Sequence, residues 1–194
     1  MTNNKLTIGI QGGRGSFNEE AVLMFVKTNN LQNCYIKYLH TSENVLKELS
    51  DRTIDKGQFA VHNSLGGVVH ESVRAMGKYN FELVADYKMQ IEHALMIRTD
   101  ATIEKIDTVM AHPQVFAQCK TKLAEKYPHL KQIVGEGEFI DHAKIAEHLS
   151  QKKLPANVAV MGSQVLAQVY GLSVIETGLQ DKKDNFTTFL LVKK

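Results

Sequence analysis

Residues 6–17 read LTIGIQGGRGSF, a short apolar run that is followed by a glycine-rich loop and a serine. The apolar run, residues 6–10, has the composition of a β-strand. Ser16 and Glu19 have the spacing of a capping box, in which side chains satisfy free N–H groups at the start of a helix. Apolar residues at helical spacing come next. The stretch therefore predicts the first strand, loop and helix of an α/β domain.

The same alternation continues along the chain. Segments of helical period separate further predicted strands around residues 35–40, 59–61, 107–111, 133–134, 157–161, 174–175 and 189–192. The alternation of strands and helices stops between residues 80 and 98, where two strand-like segments follow one another. Strands separated by helices predict parallel sheets that are covered on both faces. We therefore predict an α/β protein with two closely packed lobes, of residues 1–88 and 89–194.

Composition bounds the class of protein. The 194 residues suffice for one large domain or two small lobes, and 43% of them are hydrophobic, which is typical of a globular protein. The formal net charge is +2, and basic residues are interleaved with acidic ones, so we do not expect a nucleic-acid partner. The sequence shows neither a leader-type segment nor an apolar run long enough to span a bilayer. We expect a cytoplasmic protein without a membrane partner.

Patterns for metals and cofactors are missing from the sequence. Cys34 and Cys119 are isolated, so we expect two thiols and no disulfide. The histidines do not stand at metal-ligand spacing, and we predict no metal site. The glycine-rich loop does not fit the nucleotide-binding patterns, and no GxSxG nucleophile elbow is present. We predict no cofactor.

Small polar residues gather where predicted strands enter loops. In open α/β sheets, ligands bind beyond the carboxyl ends of the strands. Four segments of this chain fit that position: residues 11–17, 62–64, 112–114 and 185–189. Each segment alone also fits a turn, a helix cap or an ordinary strand, so none assigns a function by itself.

Taken in order, these segments resemble the prephenate dehydratase family. The resemblance rests on GGRGSF (residues 12–17), AVHNS with a following Gly-Gly (60–64), IEHAL (91–95), AHPQ with AQC (111–114 and 117–119) and NFTTF (185–189). It implies a two-lobed α/β architecture like that of type II periplasmic binding proteins, with a ligand cleft between the lobes. It also implies decarboxylative dehydration of prephenate, a dicarboxylate, to phenylpyruvate in L-phenylalanine biosynthesis. Neither a metal nor another cofactor takes part, and a homodimer is expected.

The resemblance also implies roles for residues. Thr187 corresponds to the family's catalytic threonine. The substrate-binding residues would be Arg14, Ser16, His62, Asn63, Ser64, Asn185, Thr188 and Phe189. Family members usually continue into a regulatory ACT domain, and because this chain ends at Lys194 we expect it to lack one.

Three positions depart from the family pattern. The family's arginine after the threonine is Thr188, and two family glutamates are His62 and Arg14. We hypothesise that Arg14 supplies the positive charge lost at position 188. The departures leave two alternatives open: a prephenate decarboxylase that does not aromatise its substrate, and a weakly catalytic ligand-binding or regulatory protein. Retention of Thr187 argues against the decarboxylase.

Overall fold

The computed structural model describes residues 5–194. Up to residue 90 the elements are β1 (Leu6–Ile10), α1 (Phe17–Thr28), β2 (Cys34–Tyr38), α2 (Ser42–Ser50), β3 (Lys56–Asn63), β4 (Gly67–Val68), α3 (His70–Met76) and β5 (Glu82–Gln90). The later elements are β6 (Ala94–Arg98), β7 (Thr108–Ala111), α4 (Pro113–Gln118), α5 (Lys120–Lys126), β8 (Lys131–Val134), α6 (His142–Ser150), β9 (Val158–Gly162), α7 (Val165–Tyr170), β10 (Leu172–Glu176) and β11 (Phe186–Lys193). Short 3-10 turns occupy Ile103–Lys105 and Gly137–Ile140.

The strands form two sheets, one in each lobe. The first sheet has the order β2-β1-β3-β11-β5, with the short β4 paired to β3. The second has the order β10-β6-β9-β7-β8. Each lobe has its own apolar core, formed around Phe59 and Leu46 in the first and around Leu95 and Val160 in the second. The predicted two-lobed α/β fold is confirmed.

The prediction of parallel sheets is correct only in part, because both sheets are mixed. β1 is parallel to β2 and β3, but β11 runs antiparallel to both β3 and β5. In the second sheet, β7 is parallel to β8 and β9, whereas β6 is antiparallel to β9 and β10. The antiparallel pairs arise because the chain crosses between the lobes at residues 90–94 and returns at residues 177–185.

The predicted lobe ranges, 1–88 and 89–194, need one correction. β11 follows the whole second lobe in sequence, yet it lies between β3 and β5 in the first sheet. As a central strand, β11 pairs with a neighbour on each of its two edges. The alternation of apolar and polar side chains along a strand does not indicate which strands those neighbours are. The first lobe therefore contains the C-terminal strand.

Local signals behave largely as predicted. Ser16 caps α1 by accepting a hydrogen bond from the Glu19 N–H group (3.3 Å), while the Glu19 carboxylate accepts from the Gly15 N–H group (2.6 Å). Gly171 ends α7 in the left-handed conformation with φ 64°, which glycine adopts readily at a helix C-terminus. Both cysteines are free thiols. Within residues 5–194, no helix is long and apolar enough to cross a membrane.

One predicted helix is divided. The apolar stripe from Val115 to Leu123 predicts a single helix, but α4 ends before Cys119 and α5 begins after it. The Asp181 carboxylate accepts hydrogen bonds from the N–H groups of Thr121 and Lys122, which start α5, at 3.0 Å each. Since Asp181 is remote in sequence, local pattern could not indicate this break.

Candidate functional site

A cavity lies between the two lobes and takes its lining from both. Its main chamber is open to solvent, and the empty space within it and at its mouth amounts to about 530 Å³. The residues lining the main chamber are Gln11, Phe17, Asn18, Ala60, Asn63, Val69, Ile91, His93, His112, Gln114, Val115, Gln118, His142, Thr187 and Phe189. A smaller side chamber of about 280 Å³ shares Gln11, Asn18, His112 and His142 with the main chamber.

Thr187 and Asn63 face each other because β11 pairs with β3 in that register. Asn63 Nδ2 donates to Thr187 Oγ1 at 2.9 Å and to Asn185 Oδ1 at 2.7 Å. Asn63 Oδ1 accepts from the Leu65 and Gly66 N–H groups at 2.9 and 2.7 Å, which fixes the orientation of the amide. The Thr187 oxygen is therefore an acceptor here. Among residues 5–194 its hydroxyl proton has no acceptor, so it can be donated into the cavity.

The hydrogen bonds continue across the cleft to the second lobe. Asn185 Nδ2 donates to Gln118 Oε1 at 2.8 Å and to the Ile91 carbonyl at 3.2 Å. His93 Nε2 lies 2.7 Å from Gln118 Oε1. Because that oxygen can only accept, His93 carries its proton on Nε2. His93 Nδ1 is then an acceptor, and it is buried without a partner in the described part of the chain.

Two further histidines line the cavity. His112 Nδ1 accepts from the Gln114 N–H group at 3.1 Å, so neutral His112 carries its proton on Nε2. His112 Nε2 and both ring nitrogens of His142 are buried, and within residues 5–194 they have no hydrogen-bond partner. Burial lowers the pKa of His93 and of His112 to about 4, and it also lowers the pKa of His142. All three imidazoles are therefore neutral at pH 7.

Two carboxylates line the side chamber, of which Asp141 is buried and Glu71 is half-buried. Asp141 caps α6 by accepting from the Ala143 N–H group, and its Oδ2 lies 2.7 Å from His40 Nδ1 of the other lobe. Glu71 accepts from Gln11 Nε2 at 2.8 Å and from the Ser42 N–H group at 2.6 Å. Burial raises the pKa of Glu71. The His40–Asp141 contact links the two lobes beside the cavity.

The structure brings together only part of the predicted site. Thr187, Asn63 and Phe189 line the main chamber, and Ser16 lines the side chamber. Asn185 is fully buried behind the chamber wall, where it links Asn63 to Gln118.

Four predicted residues do not line either chamber. His62 and Arg14 are exposed, and Thr188 is half-buried. Ser64 is exposed and joins two backbones, because its hydroxyl donates to the Asp184 carbonyl and accepts from the Phe186 N–H group. Alternation along β11 turns Thr188 away when Thr187 faces the cavity.

The hypothesis about Arg14 requires a positive charge in the lining of the cavity. Among residues 5–194, neither lysine nor arginine lines the main or the side chamber. The hypothesis that Arg14 replaces the missing family arginine is therefore not supported by its position. Within the same range, no group of three or more His, Cys, Asp or Glu residues is arranged to hold a metal ion.

Several lining residues were not predicted. His93, Gln114 and Gln118 belong to the motifs IEHAL, AHPQ and AQC, so closer use of those motifs would have found them. Gln114 Nε2 donates to the Val68 carbonyl at 2.7 Å across the cleft. His142 had no signal of this kind, since it stands as an isolated histidine at the start of a helix.

Comparison with known proteins gives a consistent result. The family model described as prephenate dehydratase matches residues 8–194. The chain is 26% identical over 191 residues to arogenate dehydratase 2 of Petunia hybrida, covering 98% of this chain and 45% of that protein. The chain spans about half the length of the curated relatives it matches.

Solved structures show the same fold. A prephenate dehydratase from Arthrobacter aurescens, solved in complex with L-Phe, superposes with a TM-score of 0.80 at 20% identity, over 97% of this chain and 60% of that one. A lipoprotein from Bacillus subtilis described as methionine-binding superposes with a TM-score of 0.54 at 11% identity, over 97% of this chain and 83% of that one. Because the family model matches residues 8–194, which is nearly the whole chain, the chain belongs to the prephenate dehydratase family.

Proposed function

We propose that this domain converts prephenate to phenylpyruvate by decarboxylative dehydration. The observation that supports the proposal most directly is the state of Thr187. Its oxygen accepts from Asn63 Nδ2, which leaves the hydroxyl proton for a ligand in the main chamber. A donor held in place before the ligand arrives stabilises charge that develops on a leaving group.

The reaction breaks two bonds on opposite sides of the substrate ring. The bond to the ring carboxylate breaks, CO₂ leaves and the electron pair enters the ring. The C–O bond at the opposite carbon then breaks, and the departing hydroxide takes a proton from solvent. Aromatisation supplies the driving force. Thr187 is a weak acid, so its part is to polarise the departing hydroxyl by a hydrogen bond rather than to transfer its own proton.

The rest of the main chamber suits the loss of CO₂. Its wall includes the apolar side chains of Phe17, Ile91, Val115 and Phe189. An apolar wall removes water from the ring carboxylate, and the charge of that carboxylate disappears as CO₂ forms. Asn63, Asn185 and Gln118 would keep Thr187 in position throughout.

A direct assay tests the proposal. Prephenate is incubated with the protein, and phenylpyruvate is followed by absorbance. Thr187→Val keeps the shape of the side chain but removes the hydroxyl, so we expect a rate loss of about 100-fold or more. Thr187→Ser keeps the hydroxyl and should retain activity to within about tenfold. Thr102→Val is the matched control, because Thr102 is exposed and lies outside the cavity. Equal rates for all three variants would contradict the proposal.

The alternative is a relative that binds prephenate but decarboxylates it without aromatisation or leaves it unchanged. The absence of lysine and arginine from the described cavity lining favours this alternative, since a hydrogen bond to a charged group typically contributes about 1.5–3 kcal/mol. The same assay separates the cases. Loss of prephenate without phenylpyruvate indicates the decarboxylase, and binding without loss indicates the non-catalytic protein.

Three wider expectations are part of the proposal. A role in L-phenylalanine biosynthesis follows from the product. Location in the cytoplasm and assembly as a homodimer follow from the family resemblance alone. Sedimentation equilibrium of the purified chain tests the dimer, and rescue of a phenylalanine-requiring bacterial strain tests the biosynthetic role.

A further inference from the structure

The proposed substrate poses an electrostatic problem for this cavity. Prephenate carries two carboxylates, and only one of them leaves as CO₂. Among residues 5–194, no lysine or arginine lines the chambers that would hold the retained carboxylate. A carboxylate moved out of water without a donor or a positive charge costs several kcal/mol, as an order of magnitude.

His142 is the residue best placed to answer that need. It is the first residue of α6 and lines both chambers. Its ring lies edge-on to Phe17, with ring centroids 5.8 Å apart. Gly162 leaves room for the ring, because a Cβ atom there would lie 2.9 Å from His142 Cδ2. Within residues 5–194 the imidazole is thus held in place by packing, and neither of its nitrogens has a hydrogen-bond partner.

His112 offers a second donor at the same junction of the chambers. Its Nε2 carries the proton, is buried and has no partner within residues 5–194. Buried polar groups are almost always hydrogen-bonded, so an unpaired donor beside an unpaired imidazole indicates a place for a ligand. A carboxylate has two oxygens, which can accept from two neighbouring donors.

We propose that His142, together with His112, recognises the retained carboxylate of the ligand and that His142 takes up a proton from solvent when this carboxylate enters the cavity. The choice of ligand rests on the proposed function. The cavity then gains a positive charge only when an anion is present. No resident lysine or arginine is needed.

The charged and titratable groups around His142 favour the uptake of one proton and disfavour a second. The facing titratable groups are Asp141 at the N-cap of α6, His40 after β2, Glu71 on α3, His112 before α4 and His93 between β5 and β6. The Asp141 carboxylate favours protonation of His142, whereas a charge on His142 lowers the pKa of both His93 and His112. Like charges on neighbouring sites oppose each other, so one protonated imidazole disfavours the next.

The direction in which binding depends on pH follows from the pKa of His142. Burial holds the pKa of His142 below its ordinary value, so the ring is neutral at pH 7. An anion beside the ring raises that pKa, so binding is accompanied by proton uptake and weakens as pH rises.

Titration calorimetry with phenylpyruvate tests the inference. Phenylpyruvate keeps the carboxylate in question and is not turned over by the proposed reaction. The binding enthalpy is measured at pH 7 in phosphate and in Tris, whose ionisation enthalpies differ, and the difference gives the number of protons taken up. We expect about one proton per ligand for the unaltered chain. His142→Asn keeps a donor but cannot titrate, so uptake should fall close to zero and affinity about tenfold.

His129→Asn is the matched control, because His129 is exposed, and it should bind like the unaltered chain. The unaltered chain alone can overturn the inference, by binding phenylpyruvate without proton uptake or by failing to bind it. Unchanged uptake in a folded His142→Asn protein would overturn it as well. Turnover of prephenate is measured separately. Proton-linked binding without turnover would leave this inference standing while the proposed function fails, and turnover without proton uptake would do the reverse.

Discussion

The two ends of the cavity differ in how their polar groups are satisfied. At one end, Thr187, Asn63 and Asn185 form a chain of hydrogen bonds that reaches Gln118 and is anchored on backbone groups. At the other end, the ring of His142 has no partner within residues 5–194. A satisfied network holds its members in one geometry, whereas unpaired groups retain the cost of lost water until a ligand arrives. Under the proposed function, the first end positions Thr187 and the second end, with His142, recognises the carboxylate.

The largest effect should follow from reversing the hydrogen bonds at the end formed by Thr187, Asn63 and Asn185, which we call the satisfied end. Asn63→Asp keeps the shape but replaces the donor that faces Thr187 Oγ1 and Asn185 Oδ1 with an oxygen. The Thr187 hydroxyl would then donate to the new carboxylate and not to the ligand. We expect the rate of phenylpyruvate formation to fall by about 100- to 1000-fold.

The protein should also lose stability in this variant, by about 3 kcal/mol, because a buried charge replaces a neutral amide. Asn80→Asp on the exposed surface is the matched control for charge. Steady-state rates and urea unfolding are the measurements. A variant with normal kcat would show that Asn63 does not set the direction of the Thr187 hydroxyl.

The sequence predicts the residues of the satisfied end better than those of the other end, where His142 lies. Thr187 and Asn63 lie in motifs whose order resembles the family, and the Ser16 cap follows from local spacing. The facing of Thr187 and Asn63 depends on β11 entering the first sheet between β3 and β5, a long-range pairing that periodicity does not encode.

The misplaced residues have a physical reason too. Arg14 stands in the predicted loop and His62 near the end of β3, beside Asn63, but the direction of a side chain depends on the local backbone, and both are exposed. His142 was missed because a single histidine at a helix start has no distinctive spacing. It becomes informative only once its neighbours in space are known.

The second effect concerns pH and compares the buried histidines of both ends. The pKa of His93 and of His112 is held near 4 in the folded state, against about 6.5 in an unfolded chain. Between these values the unfolded chain binds more protons, so stability is full above about pH 6.5 and is lost as pH falls towards about 4.

The slope is at most about 1.4 kcal/mol per pH unit for each histidine. Urea unfolding at pH 7, 6 and 5 measures it. His93→Gln should flatten the loss by about one histidine's share, while His129→Gln should leave it unchanged, because His129 is exposed. A free energy of unfolding that is independent of pH over this range would mean that the imidazoles are not buried as neutral groups.

The smallest effect should come from a substitution that displaces His142 without removing any polar atom. In Gly162→Ala the new Cβ would lie 2.9 Å from His142 Cδ2 and 2.8 Å from Leu166 Cδ1, so the imidazole must shift. Thr187 and Asn63 are not contacted by this change. A displaced recognition group weakens the binding of substrate and of transition state alike, which raises KM and leaves kcat nearly constant.

We expect KM for prephenate to rise by up to about tenfold, with kcat within about twofold. Gly77→Ala is the matched control, because a Cβ at that position meets its nearest atom at 3.6 Å. If Gly162→Ala instead lowered kcat and left KM unchanged, the His142 end would take part in the bond-breaking step. The division of the cavity into a positioning end and a recognition end would then fail, because both ends would act on the transition state.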